Sequence, residues 1–359
     1  MRNYFLYLLL ICTFSLEAQT VAVNHFSPIP PTEMKNAPTF LDSVTHIEVA
    51  RQNFTLPKQK LNYWRLEDEN DALVLRQGTD RYYTNGFLLD HIFCKNGFNS
   101  PISNVLFPKI TNNANNYYGF LFRIAMYTPD TVQRIKAGID HPYAGTLTVG
   151  MSNISKNSET GASLTTEYQL GVMGPASGQE WLQKTAHRMA GKSNPVGWEN
   201  QIPNDIAFNI RLTYEHPILS YSNKIEALAL TTANLGTMSN NFGMGGRLKM
   251  GRFYKSQQAG LPFVDVKLNK NWQFFTALQY IGYFVQDNAM LQGGILLDNF
   301  NRKQYISIED IKHWVGEGTL SYSLSYKNIG FTYRYCVRSP SFKTGKPSFY
   351  GGLSLQFGF

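Results

Sequence analysis

The sequence predicts an all-β fold: a transmembrane, antiparallel up-and-down β-barrel of about 12 strands with one short helix in an extracellular loop. Three observations carry this. Apolar and polar residues alternate with a period of two in segment after segment, as in strands with one face in lipid and the other on a polar interior. Aromatic residues make up 14% of the chain and charged ones only 16%, below the rough quarter usual in soluble domains. The mean hydropathy of −0.27 is nevertheless too low for a bundle of membrane helices. A barrel reconciles these numbers because only every second strand residue must be apolar. Finally, the chain stops on an aromatic strand in which Phe349, Gly351, Leu353, Leu355, Phe357 and Phe359 share one parity.

In chain order, residues 1–18 read as a secretory signal peptide: Arg2, an apolar core from Tyr4 to Phe14, then Ser-Leu-Glu-Ala before Gln19. The apolar core is too short to anchor the chain in a bilayer. Cys12 lies inside it without the small residue expected before a lipoprotein cysteine. Residues 19–63 are rich in Pro, Thr and Asn without clear period, and read as a flexible leader. The barrel is expected over 64–359, with strands near 65–75, 83–95, 117–128, 144–155, 162–174, 205–219, 224–237, 241–254, 272–288, 312–327, 329–339 and 349–359. An even count closes the sheet without an exposed edge. In 206–215, Ile206, Phe208, Ile210, Leu212 and Tyr214 share the lipid-facing parity. In 329–338 the opposite parity puts Cys336 inside. Cys94 and Cys336 sit in strands far apart in sequence; an exported protein permits a disulfide, but two unpaired thiols are the favoured reading, and no zinc-type spacing occurs.

Between the fifth and sixth strands, 174–201 holds the one convincing helix, at about 178–190. Ser177 with Glu180 forms a capping box, and Gly191 closes the helix. Glu180, Gln183, Lys184, His187 and Gly191 fall along one face. His187 is either ordinary surface polarity or a general base, since imidazole titrates near working pH.

Polar clusters stand at strand ends. The run Glu67-Asp68-Glu69-Asn70-Asp71 is costly in a membrane strand unless it lies at a rim or binds a cation, and its oxygens suit Ca²⁺. Residues 79–86 (Thr-Asp-Arg-Tyr-Tyr-Thr-Asn-Gly) and 140–145 (Asp-His-Pro-Tyr-Ala-Gly) are polar turns leading into strands; ordinary hairpin chemistry explains each equally well. The net charge of +8 reflects either loop cations or attraction to lipid phosphates. No basic run is interleaved with aromatics, so no nucleic acid partner is expected.

Together these segments resemble the outer-membrane lipid A deacylase family (LpxR-type). The matching pieces are Glu69-Asn70-Asp71, 79–86, 140–145, Gly171-Val172-Met173-Gly174-Pro175, Gln179-Glu180, Ala186-His187-Arg188 with Gly191, Gly197-Trp198-Glu199-Asn200-Gln201, and the ending at 342–359. The resemblance runs from about residue 65 to 359 and leaves out the leader. It implies a 12-stranded barrel in the outer membrane of a Gram-negative bacterium that removes the 3′-linked acyl group of lipid A with calcium. On that resemblance His187 is the base, Asn70 and Asp71 hold the ion, and Thr84 positions groups by hydrogen bonding. The family's acidic residue six positions after the histidine falls on Ser193. Glu199 or Asp205 could supply the missing carboxylate, Glu199 as a third metal ligand. The implied partners are lipid A or lipopolysaccharide in the outer leaflet, and the outer-membrane assembly machinery through the C-terminal strand; the protein is expected to be a monomer. No Gly-x-Ser-x-Gly elbow suggests a serine nucleophile. Two alternatives stay open: an outer-membrane phospholipase, and a non-enzymatic channel or structural barrel.

Overall fold

In a computed structural model the described residues are 62–74, 81–94, 105–130, 140–256, 272–294, 296 and 305–358. The expected signal peptide, nearly all of the expected leader and the terminal Phe359 lie outside them. Twelve strands follow: β1 (Asn62–Asn70), β2 (Tyr82–Cys94), β3 (Asn115–Thr128), β4 (Ala144–Lys156), β5 (Ser163–Met173), β6 (Asp205–Tyr221), β7 (Ile225–Gly236), β8 (Ser239–Arg252), β9 (Gln273–Asn288), β10 (Trp314–Tyr326), β11 (Ile329–Arg338) and β12 (Ser348–Gly358). All neighbours are antiparallel, and β1 pairs with β12 to close the barrel. Two helices are described, α1 (Gln179–Met189) and α2 (Ala289–Gln292). Each predicted strand is present. The first is displaced because Asn70 ends it: its Oδ1 accepts from the Ala72 amide at 2.8 Å, and Asp71–Leu73 curls into a 3₁₀ turn.

The period of two sorts the wall. Phe120, Val149, Leu170, Phe208, Phe242, Phe274 and Phe331 are exposed outward, forming the apolar band. Ring pairs Trp64–His91 and Trp272–Tyr326 lie at one end of the band and Phe284–Trp314 at the other, the arrangement of interfacial aromatic belts. The barrel's two chain ends share their side with the tight connection between β10 and β11, which makes that side periplasmic. Connections 174–204 and 339–347, and residues 289–294 and 305–313 between β9 and β10, are therefore at the cell surface.

Inward parity carries charge in matched pairs. Arg65 and Arg123 both bind Asp90. Arg247 meets Glu215 at 3.1 Å and Arg338 meets Glu317 at 3.1 Å. Arg334 pairs with Glu67 and, at 2.7 Å, with Glu69. The acidic run of β1 thus splits by parity, and its inward carboxylates are paired with an arginine about 265 residues away. Cys336 is buried, inward and unpaired. A cavity of about 510 Å³ remains in the lumen. Surface-side Met290, Leu291 and Phe342 line it; Leu291 and Phe342 also pack with Tyr82, Ile306 and Ile311 in one apolar cluster.

Leu170, 57% exposed on the lipid face of β5, offers a test. Leu170→Arg should lower folding stability by about 1–3 kcal/mol, between the interfacial and midplane costs of an arginine, and Leu170→Phe should be near neutral. Folded fraction after insertion into lipid vesicles, read by gel mobility, measures both.

Candidate active site

Asn70, Asp71 and Thr84 come together at the surface ends of β1 and β2, where Asn70 lies opposite Asn85. Asp71 is buried, and its Oδ2 accepts from the Arg81 amide at 3.1 Å. The β2–β3 register slips between Tyr83 and Asn85. That bulge changes which way the chain faces. Tyr83 enters the lumen, where its hydroxyl donates to Glu69 at 2.5 Å. Thr84 instead bonds the Thr128 hydroxyl at 2.7 Å. Thr128 shares parity with lipid-facing Phe120, whereas Arg123 and Tyr127 line the lumen. The two threonines therefore meet on the outer wall, yet both are buried.

The 174–204 connection packs on the wall next to this pair. Met126, two residues before Thr128 on the same parity, packs with Tyr143, Trp198 and Leu182. Gln179 reaches the Thr146 carbonyl at 3.4 Å and the Ser177 carbonyl at 3.1 Å. Helix α1 is thus seated against the outside of the barrel rim, with Gln179 and Gln183 as its buried residues.

The expected capping box does not form. Ser177 lies in a 3₁₀ turn with its hydroxyl on the Gly174 carbonyl at 2.6 Å, Glu180 pairs with Lys184, and the N-cap is Gly178 at φ 73°. With the chain in the left-handed region at 178, the serine is one residue too early to reach the first-turn amides. The other end is as predicted. Gly191 at φ 67° donates to Arg188, and Lys192 donates to the His187 carbonyl at 2.8 Å, a Schellman closure.

His187 stands in the last turn of α1. Its Nδ1 lies 2.8 Å from the Ser193 carbonyl. A carbonyl only accepts, so Nδ1 carries the proton, and in the neutral ring Nε2 holds the lone pair. The loop closed by Gly191 supplies, through its backbone, an orienting acceptor at the position where the resemblance implies a carboxylate. Glu199 is exposed in the 198–200 turn, beside Asn200. Asp205 is buried and committed to the Ile206 and Leu296 amides at 2.7 and 2.8 Å. Among the described residues no three His, Cys, Asp or Glu side chains converge as a metal cage. Asp71 and Asn70 offer adjacent oxygens, which suit a hard cation in kind, though calcium's six to eight ligands would require others from water or substrate.

A second polar knot ties the surface loops. Asp130 binds Arg81 at 3.1 Å and Lys346 at 2.6 Å, and Asp140 accepts from the Asp130 and His141 amides. Burial raises the Asp140 carboxyl. Burial alone would also raise Asp130, but the bonds from Lys346 and Arg81 hold it below the usual range. His141 stacks on Tyr127 with centroids 5.4 Å apart and an interplanar angle of 3°, and also lies against Tyr82 and Phe342. Its burial pushes the imidazole down to about 4. Sequence reasoning saw 140–145 as a polar turn and missed His141 as its packed centre; nothing periodic marks it. It likewise missed Thr128 and Trp198 as partners of the site.

A closed 12-strand barrel with an apolar outer band and a charged interior is an outer-membrane barrel. The chain belongs to the family described as "Outer membrane protein LpxR", whose profile matches residues 38–359, so the likeness begins within the expected leader, which the resemblance from about residue 65 leaves out. It resides in the outer membrane of a Gram-negative bacterium. Among solved structures, LpxR from Salmonella typhimurium is 17% identical with a TM-score of 0.66, covering 83% of this chain and 100% of that one. The β domain of the Bordetella autotransporter BrkA is 11% identical with a TM-score of 0.37, covering 83% and 99%. The translocator domain of the autotransporter NalP from Neisseria meningitidis is 8% identical with a TM-score of 0.35, covering 89% and 95%. No curated protein matches the sequence.

The His141 shift has a stability consequence. Its folded value, about 4, lies below the unfolded 6.5, so between them the unfolded chain binds more protons. Stability should be intact above about pH 6.5 and fall as pH drops toward 4. His141→Gln should flatten that slope in thermal denaturation of the detergent-solubilised barrel.

Proposed function

We propose that the protein is a lipid A 3′-O-deacylase, hydrolysing an acyl ester of lipopolysaccharide with a water activated by His187. What supports this is a polar pair, Thr84 and Thr128, buried on the outer wall, with the rim helix α1 packed through Leu182 on Met126 two residues away and carrying an oriented imidazole. A soluble substrate would not require that position; an ester at the top of the outer leaflet would.

In this reading Nε2 of His187 takes a proton from water as the water oxygen attacks the ester carbonyl carbon. The carbonyl π electrons move to oxygen, and the tetrahedral species collapses by breaking its bond to the sugar oxygen. That oxygen takes the proton back from Nε2. The Ser193 carbonyl keeps Nδ1 protonated throughout and so fixes which nitrogen acts. Thr84, held by Thr128, positions the reacting groups by hydrogen bonding. Asp71 and Asn70, with Glu199 as a further oxygen, would hold Ca²⁺. When bound, the ion supplies positive charge for the developing oxyanion. Outer-leaflet lipopolysaccharide is the proposed partner in catalysis, the assembly machinery is the proposed reader of β12, and the working unit is a monomer.

A channel function is disfavoured by a lumen crossed by arginine–carboxylate pairs, with the candidate site outside it. A phospholipase shares the chemistry and differs only in substrate.

His187→Ala should leave the heat-modifiable gel mobility of the folded barrel intact and abolish ester hydrolysis; a variant that still deacylates ends the mechanism. Mass spectrometry of lipid A and phospholipids from cells with and without the protein should show loss of an acyl chain from lipid A only. Loss from phospholipid would assign the alternative substrate, and no change in either pool would reject an esterase. Chelation should abolish activity, with recovery at about 10⁻⁴–10⁻³ M calcium, the range of weak extracellular sites. Asp71→Asn should shift that requirement upward.

A further inference from the structure

The outward face of α1 carries side chains that packing on the barrel does not explain. Its inward face is occupied: Gln179 and Gln183 are buried, and Leu182 packs on Met126 of the outer wall. At about 100° per residue, Trp181 and Arg188 fall on the side of the helix opposite Gln179. Trp181 is 71% exposed, and Met189, about two turns further on, is 84% exposed. Val196, later in the same connection, is 65% exposed. Large apolar side chains grouped on one exposed surface mark a contact with a membrane or another protein. Two cations stand among them. Arg188 and Lys192 are exposed, and neither side chain forms an ion pair among the described residues. Lys184 differs, because Glu180 holds it.

The height of α1 on the wall decides what this face meets. Its connection leaves the sheet after Met173, at the end of β5, and returns at Asp205, where β6 begins. Next to that junction the outer wall is still apolar and bare: Leu170, Ile206 and Phe208 are all exposed on the lipid side. The apolar band therefore reaches the foot of the connection, and a helix laid against the outside of the rim there lies at the top of the outer leaflet. Tryptophan suits that depth, with its ring in apolar surroundings and its N–H toward the headgroups. Trp314, at the surface end of β10, occupies the same belt elsewhere on the circumference. Apolar and aromatic groups flanked by arginine and lysine are the composition of helices that lie in a membrane interface. We infer that the outward face of α1 is a membrane-docking surface. Trp181 and Met189 enter the upper acyl region of the outer leaflet, and Arg188 and Lys192 contact the phosphates of the lipids around them. Such docking needs no ester hydrolysis and holds whichever lipid the protein acts on. The helix is then held from both sides, by the wall within and the leaflet without.

The test uses the full chain folded into lipid vesicles. The sequence has 5 tryptophans, and the emission of Trp181 is isolated as the difference between the parent and Trp181→Phe, which should keep the folded gel mobility. That difference should be blue-shifted and resistant to iodide. Phosphatidylcholine brominated on acyl carbons near the headgroup should quench it more than lipid brominated deep in the chain. A difference spectrum at the wavelength of a water-exposed indole, quenched by iodide and untouched by brominated lipid, overturns the inference. Vesicles containing phosphatidylglycerol test the cations. At low salt, quenching of Trp181 by brominated lipid should exceed that in phosphatidylcholine alone, and the excess should shrink as salt rises. Arg188→Gln combined with Lys192→Gln should abolish the excess. Equal quenching of the parent in both vesicle types overturns the phosphate contacts. Quenching that is independent of protein density supports docking on lipid. Quenching that appears only on dilution of the protein in the bilayer assigns the face to a second copy of the chain and overturns the docking.

Discussion

Closure of β1 against β12 is the constraint from which the rest of this structure follows. In hydrocarbon no water satisfies an open sheet edge, so the first and last strands must meet. Their meeting brings residues from the two ends of the barrel into one lumen. Arg334 then reaches Glu67 and Glu69 inside, while on the opposite face of the wall Tyr333 donates to the Leu73 carbonyl at 2.9 Å. Removing either side of the arginine–glutamate group would strand a buried charge, a far larger cost than loss of a surface pair. The paired interior and the closed wall are therefore one cooperative unit.

Within that wall one irregularity separates two environments. The bulge at the start of β2 sends Tyr83 to the lumen and Thr84 to the outside. On the inside, Tyr83 joins Tyr127 and Tyr350 in edge-on ring contacts beneath the surface loops. On the outside, Thr84 bonds Thr128, two residues from Met126, on which Leu182 of α1 packs. Adjacent residues thus serve structure and candidate chemistry separately, so changes to the loop knot of Arg81, Asp130 and Lys346 need not reach the threonine pair.

Much of the fold was legible because alternation is a local signal. Strand parity read from 206–215 and 329–338 correctly assigned lumen and lipid faces, down to Cys336. The first strand was misjudged at its end, where Asn70 can either extend a strand or cap a turn, and only the tertiary setting decides. The capping box at Ser177 and Glu180 failed for a similar reason: the motif was present, but Gly178 took a left-handed conformation that shifted the helix start by one residue. The role of the acidic run could not be seen, because its counterion lies about 265 residues downstream. The site was legible in parts. Asn70, Asp71 and Thr84 are neighbours, as their sequence positions on adjacent strands suggested, whereas the carbonyl of Ser193 as partner of His187 leaves no side-chain trace in the sequence.

The seat of α1 on the exterior of the cylinder also has a kinetic consequence. On the proposed function, a lipid substrate would reach that seat by diffusing sideways within its own leaflet, without crossing the aqueous phase. Encounter frequency would then be governed by the mole fraction of substrate among the lipids ringing the protein, and dilution of the bulk suspension would leave it unchanged. Saturation curves plotted against bulk concentration would therefore mislead, whereas those plotted against surface composition should superimpose.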